Sequence, residues 1–85
     1  MSGKDVRKKI QALRRRHHNV KPAEIEDLAM DAGWVFDRRG KHAIYVREGF
    51  PWPLPIPQHK KLKGKLVLRL LNIIESSLYQ EEEEE

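Results

Sequence analysis

Alternating prolines constrain the fold of this chain more than any other feature of its sequence. In residues 53–57, a proline occupies every second position, with Leu54 and Ile56 between the prolines. A period of two predicts a β-strand, but proline has no backbone N–H to donate to a neighbouring strand. The segment is therefore predicted to form the edge strand of a sheet.

Two further strands are predicted before this segment. Residues 34–38 form the first strand, with Trp34, Phe36 and Arg38 on one face. Residues 39–41 form a glycine-containing connection, and residues 42–47 form the second strand. Residues 48–52 are predicted to be a loop. Alternation in the two strands predicts that the following side chains enter the core: Trp34, Phe36, Ile44 and Val46.

Three helices are predicted around the strands. Residues 4–18 carry Val6, Ile10 and Leu13 at helical spacing. A second helix begins at Pro22, whose missing N–H costs nothing in the first turn, and ends at Gly33. A third, over about residues 64–79, has a broad apolar face. The order predicts an α+β fold: a three-stranded antiparallel sheet with helices packed on one face.

Charge is distributed unevenly along the 85 residues. The chain has 17 Lys and Arg and 13 Asp and Glu, but five of the acids are the terminal glutamates at 81–85. Residues 1–80 therefore carry 17 basic and 8 acidic side chains, a balance that favours a polyanion such as RNA or DNA. The five adjacent glutamates repel one another and are predicted to form a disordered acidic tail.

The composition predicts one small domain over residues 21–80, preceded by a basic and helical extension at residues 1–20. The cations at the end of that first helix complement its dipole, or they form an arm that touches phosphates. No cysteine, signal peptide or apolar run of about 20 residues is present, which predicts a soluble cytoplasmic protein without a membrane partner.

Histidine supplies the candidates for chemistry. The four histidines lack the spacing of metal ligands, so neither a metal nor a cofactor is expected: His17, His18, His42 and His59. His42 opens the second strand among Arg38, Arg39 and Lys41. An imidazole placed there suits proton transfer in RNA cleavage, with the cations stabilising charge on phosphorus. Alternatively, His42 only caps the turn.

A second basic cluster is predicted to bind RNA phosphates. It consists of His59, Lys60, Lys61, Lys63 and Lys65. Lys63 and Lys65 lie at the start of the last helix, where cations are unfavourable for the helix but where free N–H groups bind phosphate. His59 is alternatively a solvated loop residue. Tyr45 and Trp52 either stack on a base or pack beneath the proline-rich segment.

Four segments in order carry a resemblance to a known family. They are the Ala-Gly-Trp at 32–34, the Gly-Lys-His turn at 40–42, residues 54–59 and residues 62–66. With them, about residues 21–78 resemble the HicA family of bacterial toxins, which are small mRNA interferases of type II toxin–antitoxin systems.

The resemblance implies a fold like a double-stranded-RNA-binding domain and ribosome-independent endoribonuclease cleavage of mRNA. It implies that His42 is the catalytic residue, although Lys41 stands where the family turn usually has serine. It also implies a HicB-type antitoxin that covers the site. Two other hypotheses stay open: a non-catalytic RNA-binding domain of the same fold, and an interaction module for an acidic protein.

Overall fold

The computed structural model describes residues 3–83, with side chains for residues 5–78. Along the chain lie α1 (Gly3–Arg15), α2 (Pro22–Asp31), β1 (Val35–Arg39), β2 (His42–Arg47), β3 (Phe50–Pro57) and α3 (Gly64–Glu83). The strands form one antiparallel sheet in the order β1-β2-β3. The predicted α+β class and the three-stranded antiparallel sheet are confirmed.

Gly33 ends α2, as the sequence predicts. Its φ of +95° lies in the left-handed region that favours glycine. The N–H of Gly33 donates to the carbonyl of Met30 at 3.1 Å. The N–H of Trp34 donates to the carbonyl of Ala29 at 2.9 Å. These two bonds form a Schellman motif, which turns the chain directly from α2 towards the sheet.

β3 lies at an edge of the sheet, as its prolines predict. The strand begins at Phe50, earlier than expected, so the loop predicted at residues 48–52 is wrong. Arg47 pairs with Phe50, and Gly49 between them has a φ of +84°. A glycine in this conformation allows a two-residue connection between antiparallel strands, which leaves no long loop.

The sheet buries the opposite face of β2 from the one predicted. The buried strand residues are Ala43, Tyr45, Leu54 and Ile56. Ile44 is half-buried, and Val46 is 40% exposed on the face that carries no helix. Phe36 is 44% exposed, so of the predicted core residues only Trp34 is fully buried.

Hydrophobicity alone does not choose between the faces of β2, because both carry apolar side chains. The structure turns Tyr45 inward, where its hydroxyl donates to the carboxylate of Glu26 at 2.8 Å. A buried phenol needs such a partner, and the partner lies on α2, 19 residues away in sequence.

α1 packs against α3 and α2 and is integral to the core. Its apolar stripe is buried, and Ile10 is completely inaccessible to solvent. Its cations also contact acids of the other helices: Lys9 with Asp31 at 2.6 Å, and Arg14 with Glu75 at 3.0 Å. Of the two roles left open for its basic residues, these contacts support the structural one.

The last helix is longer than the sequence suggests. α3 begins at Gly64 as predicted, but it continues to Glu83 rather than ending near Tyr79. The first three glutamates of the predicted acidic tail are therefore helical. Glu84 and Glu85, the rest of that tail, lie outside the described residues.

Candidate functional site

His42 is exposed at the first position of β2. The tight turn before it is closed by the N–H of Gly40, which donates to the carbonyl of His42 at 3.0 Å. On the other side, His42 pairs with Pro57 at the end of β3. The imidazole is thus held on a paired strand while its side chain stays open to solvent.

The face of the sheet opposite the helices includes this histidine. Strand alternation and cross-strand pairing give this outer sheet face the following side chains: Val35, Arg38, His42, Ile44 and Val46. Val35 is 63% exposed, and Val46 is 40% exposed. The buried strand side chains, Ala43, Tyr45, Leu54 and Ile56, belong to the other face, which packs on the helices. The outer sheet face therefore has no covering element among the described residues.

A buried carboxylate on α2 joins the end of β1, the middle of β2 and the residue that follows β3. Glu26, on α2, is only 7% exposed. One of its oxygens accepts from Tyr45 at 2.8 Å and from Arg39 at 2.9 Å. Its other oxygen accepts from the amide of Gln58 at 3.4 Å. Arg39 also donates to the Gln58 side-chain oxygen at 2.6 Å, which closes the network.

Residues of this Glu26 network lie on both sides of the turn that carries His42. Arg39 is the last residue of β1 and lies three positions before His42. Gln58 directly follows Pro57, the cross-strand partner of His42. Both chain segments that flank the histidine are therefore tied to one carboxylate.

The hydrogen bonds of this network also shift the pKa values of Glu26 and Tyr45. Burial opposes the charge on Glu26, but hydrogen bonds from Tyr45, Arg39 and Gln58 outweigh it, so the pKa of Glu26 lies below its usual value. Burial, followed by the hydrogen bond to Glu26, raises the pKa of Tyr45 to about 12. At neutral pH, Glu26 is a carboxylate and Tyr45 is a neutral donor.

Glu26→Gln is expected to make folding less sensitive to acid. Since the pKa of Glu26 is lower in the folded chain than in the unfolded one, its carboxylate stabilises the fold above the unfolded pKa of about 4.5. That stabilisation is lost as the pH falls through the folded pKa. The free energy of unfolding, measured in urea at about pH 7 and about pH 3, should change less in the variant than in the natural chain.

Asn72→Ala, an exposed and non-ionising change on α3, is the control for this measurement. It is expected to keep the pH dependence of the natural chain. A Glu26→Gln variant that loses as much stability in acid as the natural chain would contradict the role given to the carboxylate.

The predicted cations around the turn differ in what they contact. Lys41 is exposed. Arg38 forms an exposed pair with Asp37 at 2.7 Å, and 73% of its side chain is accessible. Arg39 is paired with Glu26, so its charge is largely neutralised. Arg38 and Lys41 are therefore the more available cations beside His42.

The second basic cluster follows β3. All five of its side chains are exposed: His59, Lys60, Lys61, Lys63 and Lys65. Because β3 ends opposite the start of β2, the segment that carries the cluster leaves the sheet at the same end as His42. The N-terminus of α3, predicted to hold a phosphate, lies against His17 and His18, which follow α1. A side-chain carbon added at Gly64 would lie 2.7 Å from Nδ1 of His18, so a larger residue there would require that imidazole to shift.

Sequence reasoning missed three members of the Glu26 network. It left Tyr45 open between stacking and packing, and it did not single out Glu26 or Gln58. An acid directly after Ile25, on the apolar side of α2, was the available signal. Its partners are 13 to 32 residues away, beyond the reach of local patterns.

Among the described side chains, residues 5–78, no three His, Cys, Asp or Glu come together as metal ligands would. Along the described backbone, residues 3–83, no helix combines the length and the hydropathy of a membrane-spanning segment.

Comparison with known proteins places the chain in a family. Residues 22–75 match the family model described as HicA toxin of bacterial toxin–antitoxin. The match includes α2, the whole sheet and most of α3, and it leaves α1 outside. No curated protein and no solved structure matches the chain, so the likeness to a double-stranded-RNA-binding domain stays a prediction. Toxins of this kind are paired with an antitoxin. Because the match covers more than half of its residues, the chain belongs to the HicA toxin family of bacterial toxin–antitoxin systems.

Proposed function

We propose that this chain is an endoribonuclease that cleaves mRNA without a metal ion, with His42 transferring a proton. The observation that carries the proposal is the placement of His42. Its imidazole is exposed on a paired strand, beside the accessible cations Arg38 and Lys41. Membership of the HicA toxin family supports the same activity, since toxins of this family are generally ribonucleases.

The proposed reaction uses the 2′-hydroxyl of the RNA as the nucleophile. The 2′-oxygen forms a bond to phosphorus while the bond from phosphorus to the 5′-oxygen breaks, which leaves a 2′,3′-cyclic phosphate and a 5′-hydroxyl. A base takes the proton of the 2′-hydroxyl, and an acid protonates the departing 5′-oxygen. His42 performs one of these two transfers. No step needs an oxidant, a reductant or a second substrate.

Cations around His42 act on the phosphate. Negative charge builds up on the phosphoryl oxygens in the transition state, and nearby fixed cations lower its free energy. Arg38 and Lys41 supply this charge in the proposal. Arg39 contributes less, because Glu26 already balances it at 2.9 Å.

The second basic cluster binds phosphates on either side of the cleaved bond. His59, Lys60, Lys61, Lys63 and Lys65 are exposed, and contacts of this kind give affinity without sequence preference. The same basic surface suits a HicB-type antitoxin, which we propose as the partner that covers the site. We place the activity in the cytoplasm, where mRNA is available.

Incubation of the purified chain with a long single-stranded RNA tests the proposal. New fragments are expected, with 2′,3′-cyclic phosphate ends, both with and without EDTA. The end groups follow from attack by the 2′-hydroxyl, and resistance to the chelator follows from proton transfer by a side chain. Gel separation and mass spectrometry of the fragments measure both.

Two results would contradict this function. Fragments that disappear in EDTA would indicate a metal-dependent reaction. RNA binding without fragments would favour the alternative of a non-catalytic RNA-binding domain on the same fold.

A further inference from the structure

His42 and its cross-strand partner cannot form a complete pair of backbone hydrogen bonds. Prolines occupy positions 53, 55 and 57 of β3, and Pro57 is the residue that pairs with His42. Two residues that face each other in an antiparallel sheet exchange two N–H to carbonyl bonds only where both have an N–H, and proline has none. The backbone alone therefore holds β3 less firmly at His42 than at Ala43, whose partner Ile56 has an N–H.

Arg39 connects the two chain segments that flank His42. Its Nη2 donates to the carboxylate of Glu26 at 2.9 Å, and its Nη1 donates to the side-chain oxygen of Gln58 at 2.6 Å. The Gln58 amide also donates to the carbonyl of Ile56 at 3.0 Å, which ties that side chain to its own strand. Because Arg39 ends β1 and Gln58 follows β3, one guanidinium joins the two outer strands across the start of β2.

These contacts depend on the shape of the guanidinium as well as on its charge. Two different nitrogens of Arg39 reach two different side chains, and its central carbon lies 5.3 Å from the centroid of the Phe36 ring. A guanidinium is planar, holds its donors in a fixed fork and stacks on aromatic rings. The ammonium group of lysine is a single nitrogen on a flexible stem and reproduces only the charge.

Arg39 belongs to the face of the sheet that packs on the helices. It pairs with Ala43, which is completely buried on that face, and directly opposed residues of two strands share a face. The bond from Arg39 to Glu26 on α2 agrees with this placement. His42, one residue before Ala43, belongs to the outer sheet face. Arg39 and His42 are therefore on opposite faces, and the chain itself is the link between them.

We infer that Arg39 is a positioning residue for His42, which joins Glu26 to Gln58 and so fixes the two segments that flank the histidine. This inference rests on the proposed function, and it replaces the phosphate-binding role that the sequence predicts for Arg39. Proton transfer requires the imidazole within hydrogen-bond reach of the reacting oxygen, and a displacement of about 1 Å lowers a rate by about 100-fold. The network supplies this precision from the side of the sheet that the helices cover.

Arg39→Lys separates shape from charge. The variant keeps a cation opposite Glu26 but loses the fork that reaches Gln58 and the plane that lies on Phe36. For RNA cleavage, kcat is expected to fall by about 10- to 100-fold, while KM changes by less than about threefold. A residue that bound phosphate through its charge would tolerate lysine, which is itself a common phosphate ligand.

Arg16→Lys is the matched control. Arg16 donates through two nitrogens to Glu24 at 3.2 and 2.7 Å, and Glu24 lies on α2, as Glu26 does. The substitution removes the same kind of fork from the same helix, but Arg16 lies between α1 and α2 rather than at the sheet. It is expected to keep the natural kcat and KM. Cleavage is measured at a temperature where thermal unfolding shows every variant to be folded, so that lost stability does not lower kcat.

Backbone ¹⁵N relaxation tests the positioning without any substrate. In the natural chain and in Arg16→Lys, order parameters of about 0.85 are expected at Lys41, His42 and Gln58, as for rigid backbone. In Arg39→Lys they are expected to fall to about 0.6 or less at the same residues, because the segments on both sides of His42 are released.

The inference and the proposed function fail separately. A natural chain that cleaves no RNA contradicts the nuclease, and a loss of order in Arg39→Lys would then still support the role of Arg39 in holding the turn. Unchanged order parameters in Arg39→Lys overturn the inference, whatever the activity. An unchanged kcat in Arg39→Lys, with or without a higher KM, also overturns it and leaves the nuclease intact.

Discussion

His42→Ala is expected to lower the rate of RNA cleavage by about 10²- to 10⁴-fold, the usual contribution of a positioned acid or base. The loss falls on kcat, because the imidazole acts on the reacting atoms. The fold should persist, since His42 is exposed and removing an exposed side chain changes stability by about 0.5 kcal/mol or less. Cleavage kinetics and thermal unfolding of the purified variant measure both effects.

His59→Ala is the comparison that separates chemistry from binding. His59 is also exposed, but it lies two residues beyond β3 in the second basic cluster. A residue that only binds phosphate contributes equally to the substrate complex and the transition state, so its loss raises KM and leaves kcat near the natural value. A folded His42→Ala chain that cleaves RNA at the natural rate would refute the proposed mechanism.

Ile10→Ala is expected to lower the free energy of unfolding by about 2–5 kcal/mol, as deletions in a packed core do. The effect is large for a chain of this size, whose whole stability is about 4–13 kcal/mol. Ile10 lies on α1, outside the residues that match the HicA family, yet it is completely buried. Urea unfolding of the whole chain measures the loss.

Gln11→Ala is the neighbouring control, because Gln11 is exposed on the same helix. Its effect should be about 0.5 kcal/mol or less. If Ile10→Ala costs no more than Gln11→Ala, α1 does not pack on the core in solution. The residues before α2 would then act as the basic arm that the sequence also allowed.

Local signals in the sequence predicted most of the elements. Gly33 marked the end of α2, Pro22 its beginning, and the alternating prolines an edge strand. Proline restricts the backbone and glycine permits a positive φ, each through its own covalent structure, so these effects do not depend on distant contacts. Gly49 is the exception, since the predicted loop concealed the two-residue turn that it makes.

Contacts between residues far apart in the sequence determine the features that the sequence analysis did not predict. The choice of the buried face of β2 depends on the bond between Tyr45 and Glu26, and the position of α1 depends on residues such as Glu75, 61 positions from Arg14. Periodicity describes one element at a time and cannot identify such partners. For the site, the sequence placed His42 on an exposed strand end, but it did not reveal the carboxylate that ties down the flanking segments.

The edge position of β3 also affects the tendency of the chain to aggregate at high concentration. An open strand edge invites strands from other molecules, which is how fibrils grow. Prolines alternate through β3 and deny donors to an incoming strand, and β1 at the other edge is only five residues long and irregular between Phe36 and Arg38. Neither edge of the sheet offers a template, so we expect the chain to resist fibrillar aggregation even though its outer sheet face is apolar in part.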